Sequence, residues 1–212
     1  MSDFIFPIYL KNNDMFNKIV HEHRLREHLT ESELSGLVNT LLDIIRQKDE
    51  YTYIHSKNVA DYTLRAIKTR GFDSGKQAQI YAAAFLHDIG KIGIPDAVLK
   101  KKGRLTKEEQ SIVRQHPVIG HRIVMRFPAL ESIAGFVRSH HEKYDGSGYP
   151  DRLSGDDIPE GAAIIAVADA YDAITTRDFN IKKNKADAIK EMKKYCGSQF
   201  NTEIANEFIN IL

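Results

Sequence analysis

Two adjacent histidines, His140 and His141, stand inside the stretch FVRSHHEKYDGSGYP (136–150). A second polar pair, His87–Asp88, interrupts the apolar run of AAAFLHDIGKIGIPD (82–96). An ionised carboxylate in such surroundings is costly unless it is paired or bound to a metal. Asp169 repeats the conflict within AAIIAVADAYDAIT, and Asp172 lies one helical turn further on. His55 and His116 add two imidazoles next to apolar positions. Each residue alone has an ordinary explanation, such as a core histidine with a satisfied hydrogen bond or a helix cap. The conjunction is different. His55, His87, Asp88, His116, His140, His141 and Asp169 fall on separate helical segments or their ends, and they converge if those segments pack in one bundle. Mixed nitrogen and oxygen donors suit Fe, Mn, Zn or Ni better than Ca or Mg. Neighbours on a helix point about 100° apart. The pairs His87–Asp88 and His140–His141 should therefore serve one ion poorly and two neighbouring ions well, with the two oxygens of Asp88 as the natural bridge.

The elements that must position these residues read as helices. Apolar residues recur at helical spacing over 34–47, where Leu34, Leu37, Val38, Leu41, Leu42 and Ile45 share a face. Further helices are expected over 55–72, 74–90, 106–127, 132–145, 160–176, 184–196 and 201–212. Thr106 and Glu109 form a capping box at the head of one of them. β-branched alternation is nearly absent, and the expected fold class is all-α, a single helical bundle over 34–212 without internal repeats. Residues 1–33 read as an arm or an extra helix. Their HEHRLREH segment places His21 and His28 on one helical face, but without acidic or apolar context it reads as an exposed helix.

Composition narrows the function classes. The chain has 212 residues, 42% of them hydrophobic, enough for a substantial core. Charged residues nearly cancel, to a formal net charge of +1, so no nucleic acid polymer or acidic membrane is implied. Cys196 is the only cysteine, which fits a reducing cytoplasm. No apolar run approaches the roughly 18–20 residues of a membrane span, and the opening MSDFIFPIYLKNND does not read as a signal peptide.

The blocks HDIGKIGIPD (87–96), HHEKYDGSGYP (140–150) and IPEGAAIIAVADAYDAIT (158–175) resemble the signature blocks of HD-GYP domains, members of the HD metal-dependent phosphohydrolase superfamily. HSKNVA at His55, GRLTKEE before the HPVIG at His116, and GSQFN at 197–201 extend the resemblance over about 34–212. It implies an all-helical bundle around a two- or three-metal centre, often iron or manganese. It also implies hydrolysis of cyclic di-GMP or a related cyclic dinucleotide. Carried over, one metal would be held by His55, His87, Asp88 and Asp169, and the second by Asp88, His116, His140 and His141. Lys91 would point to the scissile phosphate, on the same face as His87 if the helix persists past Gly90. Gly148 and Tyr149 would border the substrate cleft, a loop whose glycines invite close approach to the backbone. Asp172 is a candidate to orient a ligand or Lys91. Metals about 3.5–4 Å apart would share a water and hold the phosphodiester for in-line attack.

The chain departs from the family at three places. Three-metal members have a carboxylate four residues before the first histidine; here that residue is Tyr51, next to Glu50. The expectation is two metals, with Glu50 rotated away. The arginine-proline-tyrosine run after DAIT is replaced by TTRDFNIKK, in which Arg177 fits the arginine position only with a one-residue deletion and Asp178 otherwise occupies it. Lys102 stands where a proline is common, inside a run of Lys100, Lys101, Lys102 and Arg104 that reads as solvated charge. Two other readings stay open: an HD phosphohydrolase acting on another nucleotide, and a non-catalytic domain that binds a cyclic dinucleotide or a signalling protein partner.

Overall fold

The computed structural model describes residues 31–176 and 184–212. Helix α1 (Glu31–Lys48) buries the expected stripe of Leu34, Val38, Leu41, Leu42 and Ile45, with Leu37 packed at its edge. Helix α2 (Glu50–Ile67) starts five residues before His55, so that His55 lies inside the helix and not at its head. The reason is local: the Asp49 carboxylate accepts the Thr52 N–H at 3.0 Å, an N-cap bond of about 1 kcal/mol.

The second half of helix α3 (Ser74–Leu86) is apolar all round, and Ile80 through Leu86 are all buried. A helix with no polar face belongs at the centre of a bundle. It ends at Leu86, short of the expected Gly90, and the chain enters a 3-10 turn over Ile89–Gly93. Helices α4 (Asp96–Leu99) and α5 (Lys107–Val113) follow, α5 opening on the Thr106–Glu109 capping box. The single helix expected over 106–127 is divided. Pro117 has no N–H and cannot sit inside a helix, so α6 (His116–Val124) restarts there with Pro117 in its first turn. The 3-10 turn is pressed backbone to backbone onto α6. A Cβ at Gly90 would lie 1.9 Å from the His116 carbonyl oxygen and 2.5 Å from the Gly120 nitrogen. Only glycine permits that approach, which brings Asp88 next to His116.

Helix α7 (Ala134–Ser139) stops just before the histidine pair, which therefore caps and follows the helix. Helix α8 (Glu160–Thr176) packs along α2. Helices α9 (Lys185–Lys193) and α10 (Thr202–Ile211) close the far end over α8. There Phe208 is 1% exposed and its ring meets Tyr171 and Tyr62. Truncating a buried phenylalanine of this kind costs about 3–5 kcal/mol.

The all-α expectation holds: among the described residues the β contact present is an isolated bridge between Cys196 and Phe200. No described helix is long and apolar enough to cross a membrane. Within the lysine run, Lys100 pairs with Asp96 and Lys101 with Glu109, in keeping with solvated charge. His21, His28, Arg177 and Asp178 lie outside the described residues.

Candidate metal centre

Three histidines share one device. The Nδ1–H of His87 donates to the Ala84 carbonyl at 2.7 Å, that of His116 to Val113 at 2.7 Å, and that of His140 to Val137 at 2.8 Å. Each is a bond to the carbonyl three residues back, available because each histidine sits at or beside a helix terminus. A carbonyl can only accept, so each bond puts the proton on Nδ1 and leaves Nε2 as a lone pair. The His87 Nε2 is buried without a hydrogen-bond partner. The Nε2 atoms of His116 and His140 face each other at 3.2 Å, two acceptors with no proton between them.

Asp88 completes the set. It is 2% exposed, and its two oxygens diverge. Oδ1 lies 3.2 Å from His116 Nε2, while Oδ2 lies 3.4 Å from His87 Nε2 and 3.8 Å from His55 Nε2. The donors fall into two groups, Asp88–His116–His140–His141 and His55–His87–Asp88, each with its atoms within 4.8 Å of one another. Asp88 belongs to both. These residues fit divalent ions, because converging lone pairs and a buried carboxylate repel one another until a cation lies among them. Burial alone would raise the Asp88 pKa, but the Lys91 ammonium beside it outweighs that and holds the carboxyl well below its usual range.

Helix spacing set His140 and His141 toward different ions, whereas the family resemblance put both on the second. Both lie in the same donor group, as the resemblance implies, their ring centroids 4.1 Å apart. Helix spacing does not apply at the pair, because the helix has ended at Ser139 and the backbone turns there. Burial, then the neighbouring imidazoles, push the pKa of both down, so both stay neutral and able to bind a cation.

His55 is held differently. Its Nδ1 lies 2.6 Å from Asp172 Oδ2, and its Nε2 lies 3.0 Å from Asp169 Oδ1. Burial pushes its pKa down, but the two carboxylates more than offset that and raise it to about 9. Asp172 is 1% exposed; it also accepts from Asn58 Nδ2 at 2.9 Å and touches Thr176 Oγ1 at 3.2 Å. It therefore orients His55 and not Lys91. Asn58 was missed in the sequence; one turn after His55 on α2, it could have been found as a polar residue on the histidine's face. Asp169 lies beside both groups, 3.8 Å from His141 Nδ1, and its carboxyl is lowered by His55 despite burial.

Lys91 reaches the centre by another route than expected. The helix does not persist; the 3-10 turn carries Lys91 back over Asp88, Nζ to Oδ2 at 2.5 Å. Its side chain is 12% exposed, so the ammonium borders both the cluster and solvent. Tyr149 stands at the rim, its ring stacked 4.8 Å from that of His141. The loop that carries it is tied down by Glu142, a buried carboxylate that the sequence reading passed over. Glu142 accepts the Asp151 N–H at 2.7 Å and the Leu153 N–H at 3.1 Å. What approaches Gly148 is the chain's own backbone: a Cβ there would lie 2.4 Å from the Lys143 nitrogen.

The sequence model of the HD domain family matches residues 39–204. This chain belongs to the HD domain family. The match lies inside the 34–212 span expected for the domain. The chain is 36% identical over 197 residues to a protein of Thermotoga maritima named cyclic di-GMP phosphodiesterase, covering 90% of this chain and 53% of that protein. It is 38% identical over 140 residues to a Vibrio cholerae protein named 3′3′-cGAMP-specific phosphodiesterase 2, covering 65% of this chain and 27% of that one. The chain thus spans about half or less of the length of these relatives. Among solved structures it resembles Bd1817, an HDG"Y"P protein from Bdellovibrio bacteriovorus, with a TM-score of 0.60 at 22% identity over 74% of this chain and 51% of that one. That likeness speaks for the fold.

A cavity of about 330 Å³ lies elsewhere in this HD domain, between Arg70, Tyr144, Gln199 and the first turn of α8. It shares no side chain with the donor groups, and its Arg70 is already bound by Glu160 and Glu207.

Proposed function

We propose that this HD domain is a metal-dependent phosphodiesterase that hydrolyses a cyclic dinucleotide, cyclic di-GMP in the first place. The observation that carries the reading is Asp88, one buried carboxylate common to two groups of imidazole donors. The proposed ligands are His55, His87, Asp88 and Asp169 for one ion and Asp88, His116, His140 and His141 for the other. Iron or manganese is the proposed metal, since imidazole-rich sets with carboxylates suit it. When bound, a pair of divalent ions supplies Lewis-acid polarisation of the phosphodiester and a water acidic enough to attack at neutral pH.

The chain's own groups do the rest. The Nδ1–H bonds of His87, His116 and His140 keep their lone pairs aimed inward. Asp172 holds the Nδ1 proton of His55. Lys91, part-exposed beside Asp88, donates to a non-bridging oxygen of the scissile phosphate and stabilises charge that develops there. Tyr149 offers an aromatic wall and a hydroxyl at the rim. Arg177 and the loop around Gly148 complete the proposed substrate surface. The names of the two relatives, one for cyclic di-GMP and one for cGAMP, support a guanine-containing cyclic dinucleotide. A cytoplasmic site of action and a signalling protein partner go with such a substrate, and the lone Cys196 thiol agrees with a reducing compartment.

The test is purified protein loaded with Mn(II) or Fe(II) under anaerobic conditions, given cyclic di-GMP, cGAMP and bis(p-nitrophenyl) phosphate. Linear dinucleotide or GMP from the first two supports the reading. Metal-loaded protein that binds cyclic di-GMP without cleaving it would make this a sensor domain.

A further inference from the structure

The rim of the donor cluster carries a cation that the sequence reading did not single out. Arg114 closes α5, two residues before His116. Its guanidinium carbon lies 5.1 Å from the centroid of the Tyr149 ring. Tyr149 stacks on His141 at 4.8 Å with 30° between the planes, and the His141 ring lies 4.9 Å from that of His116. The contacts close a circle from α5 through the Tyr149 loop to the donors and back to α6. Arg114 itself is exposed.

Several basic side chains are engaged by carboxylates. Arg46 is bound by Glu50, Arg70 by Glu160, Arg138 by Asp151, and Lys91 by Asp88. Among the described residues, no carboxylate lies within ion-pair distance of Arg114. A guanidinium placed over an aromatic ring by its charge still carries its fork of N–H donors. Those donors match two oxygens of one phosphate.

We infer that Arg114 is a substrate-gripping residue, which holds Tyr149 against His141 and binds the phosphate of the cyclic dinucleotide that is not being cleaved. The inference rests on the phosphodiesterase reading. A cyclic dinucleotide carries two phosphates, and Lys91 stands beside Asp88, where the scissile one must lie. The second phosphate needs a cation at the rim that is not already engaged by a carboxylate. Arg114 meets that requirement and does so independently of residues 177–183.

The experiment compares wild type, Arg114→Ala and Arg114→Lys after metal loading. Equilibrium binding of a phosphorothioate analogue of cyclic di-GMP is measured by calorimetry, and KM and kcat are measured on cyclic di-GMP, cyclic di-AMP and bis(p-nitrophenyl) phosphate. The expected result for Arg114→Ala is a roughly tenfold weaker Kd and higher KM on both cyclic dinucleotides, with kcat falling less than KM rises. Arg114→Lys should recover part of the Kd, because it keeps the charge and loses the planar fork. The effect on bis(p-nitrophenyl) phosphate, which has one phosphate, should be clearly smaller. Equal losses on all three substrates, or a changed metal content, would show that Arg114 only supports His116 and Tyr149. A loss confined to cyclic di-GMP would show that it reads the guanine edge instead. An unchanged Kd in Arg114→Ala, with a wild type that cleaves cyclic di-GMP, overturns the inference alone. Wild type that loads metal and neither binds nor cleaves any cyclic dinucleotide overturns it together with the function it rests on.

Discussion

His116 and His140 present Nε2 lone pairs to each other at 3.2 Å, with each Nδ1 proton committed to a backbone carbonyl. Neither ring can turn to donate without losing that bond, and both are buried. The arrangement is unfavourable for the protein alone and favourable around a cation, which makes metal binding a stability question as well as a catalytic one.

Divalent metal should therefore raise the melting temperature. At a metal concentration about 100 times Kd, the gain is about 2.7 kcal/mol per site. Scanning fluorimetry of chelator-treated protein should show an upward shift with Mn(II) and a smaller one with Ca(II), which prefers oxygen donors. Absence of any shift with Mn(II) or Fe(II) would remove the basis for a metal centre.

Asp88→Ala should empty both sites at once. Loss of a partner outside the metal's own ligands already costs about 10–100-fold in affinity or activity; loss of the carboxylate common to both groups should cost more. The helical fold should survive, because α3 is anchored by Ile80 through Leu86. Elemental analysis and circular dichroism check both halves, and full metal occupancy in the variant contradicts the bridging role.

Asp172→Asn should weaken metal binding about 10–100-fold with little change in fold. Its carboxylate holds His55 at 2.6 Å and is itself held by Asn58. Asn58→Ala should move the affinity in the same direction by less. Calorimetric titration with Mn(II) orders the three proteins; an Asp172→Asn affinity equal to wild type would mean that His55 needs no orientation.

The expected ion count is two. Tyr51 is 40% exposed and stacks near His55, and Glu50 faces away, paired with Arg46 at 3.0 Å. A phenol is a poorer ligand for a divalent ion than a carboxylate. Tyr51→Glu should raise the stoichiometry from two to three. Anomalous scattering from Mn-grown crystals decides it, and a third peak beside Tyr51 in the wild type would refute the count.

Acid should break the Arg138–Asp151 clamp on the Tyr149 loop only well below neutral pH. Arg138 binds Asp151 at 2.6 and 2.7 Å and lowers its pKa, the hydrogen bond outweighing slight burial. A carboxyl with a lowered folded pKa adds stability above its unfolded value of about 3.9, and that stability disappears as pH falls through the folded value. Between pH 5 and 8 the clamp should thus be constant. Both side chains are about a third exposed, so its worth is about 1 kcal/mol at most. In Arg138→Ala the Asp151 midpoint, followed by NMR, should move up; no movement would mean that Arg138 does not set it.

The sequence by itself determined the helical class, the apolar stripe of α1, the capping box at Thr106 and the list of metal-ligand candidates. Those follow from local chemistry: helical periodicity, side chains that cap their own backbone, and polar residues too costly to bury without a reason. The resemblance implied how the candidates divide, and the tertiary structure supplied the cause. His140 and His141 share one donor group because α7 ends at Ser139, and Lys91 reaches Asp88 through a 3-10 turn because Gly90 lets the backbone press onto α6. Asn58 and Arg114 gained their parts only when distant segments met: Asp172 is 114 residues from Asn58, and the Tyr149 ring comes from a different helix pair than Arg114. Spacing along one helix predicts which side chains share a face. It carries no information on which other face will lie opposite, and the pairing of faces is what turns separate histidines and carboxylates into a site.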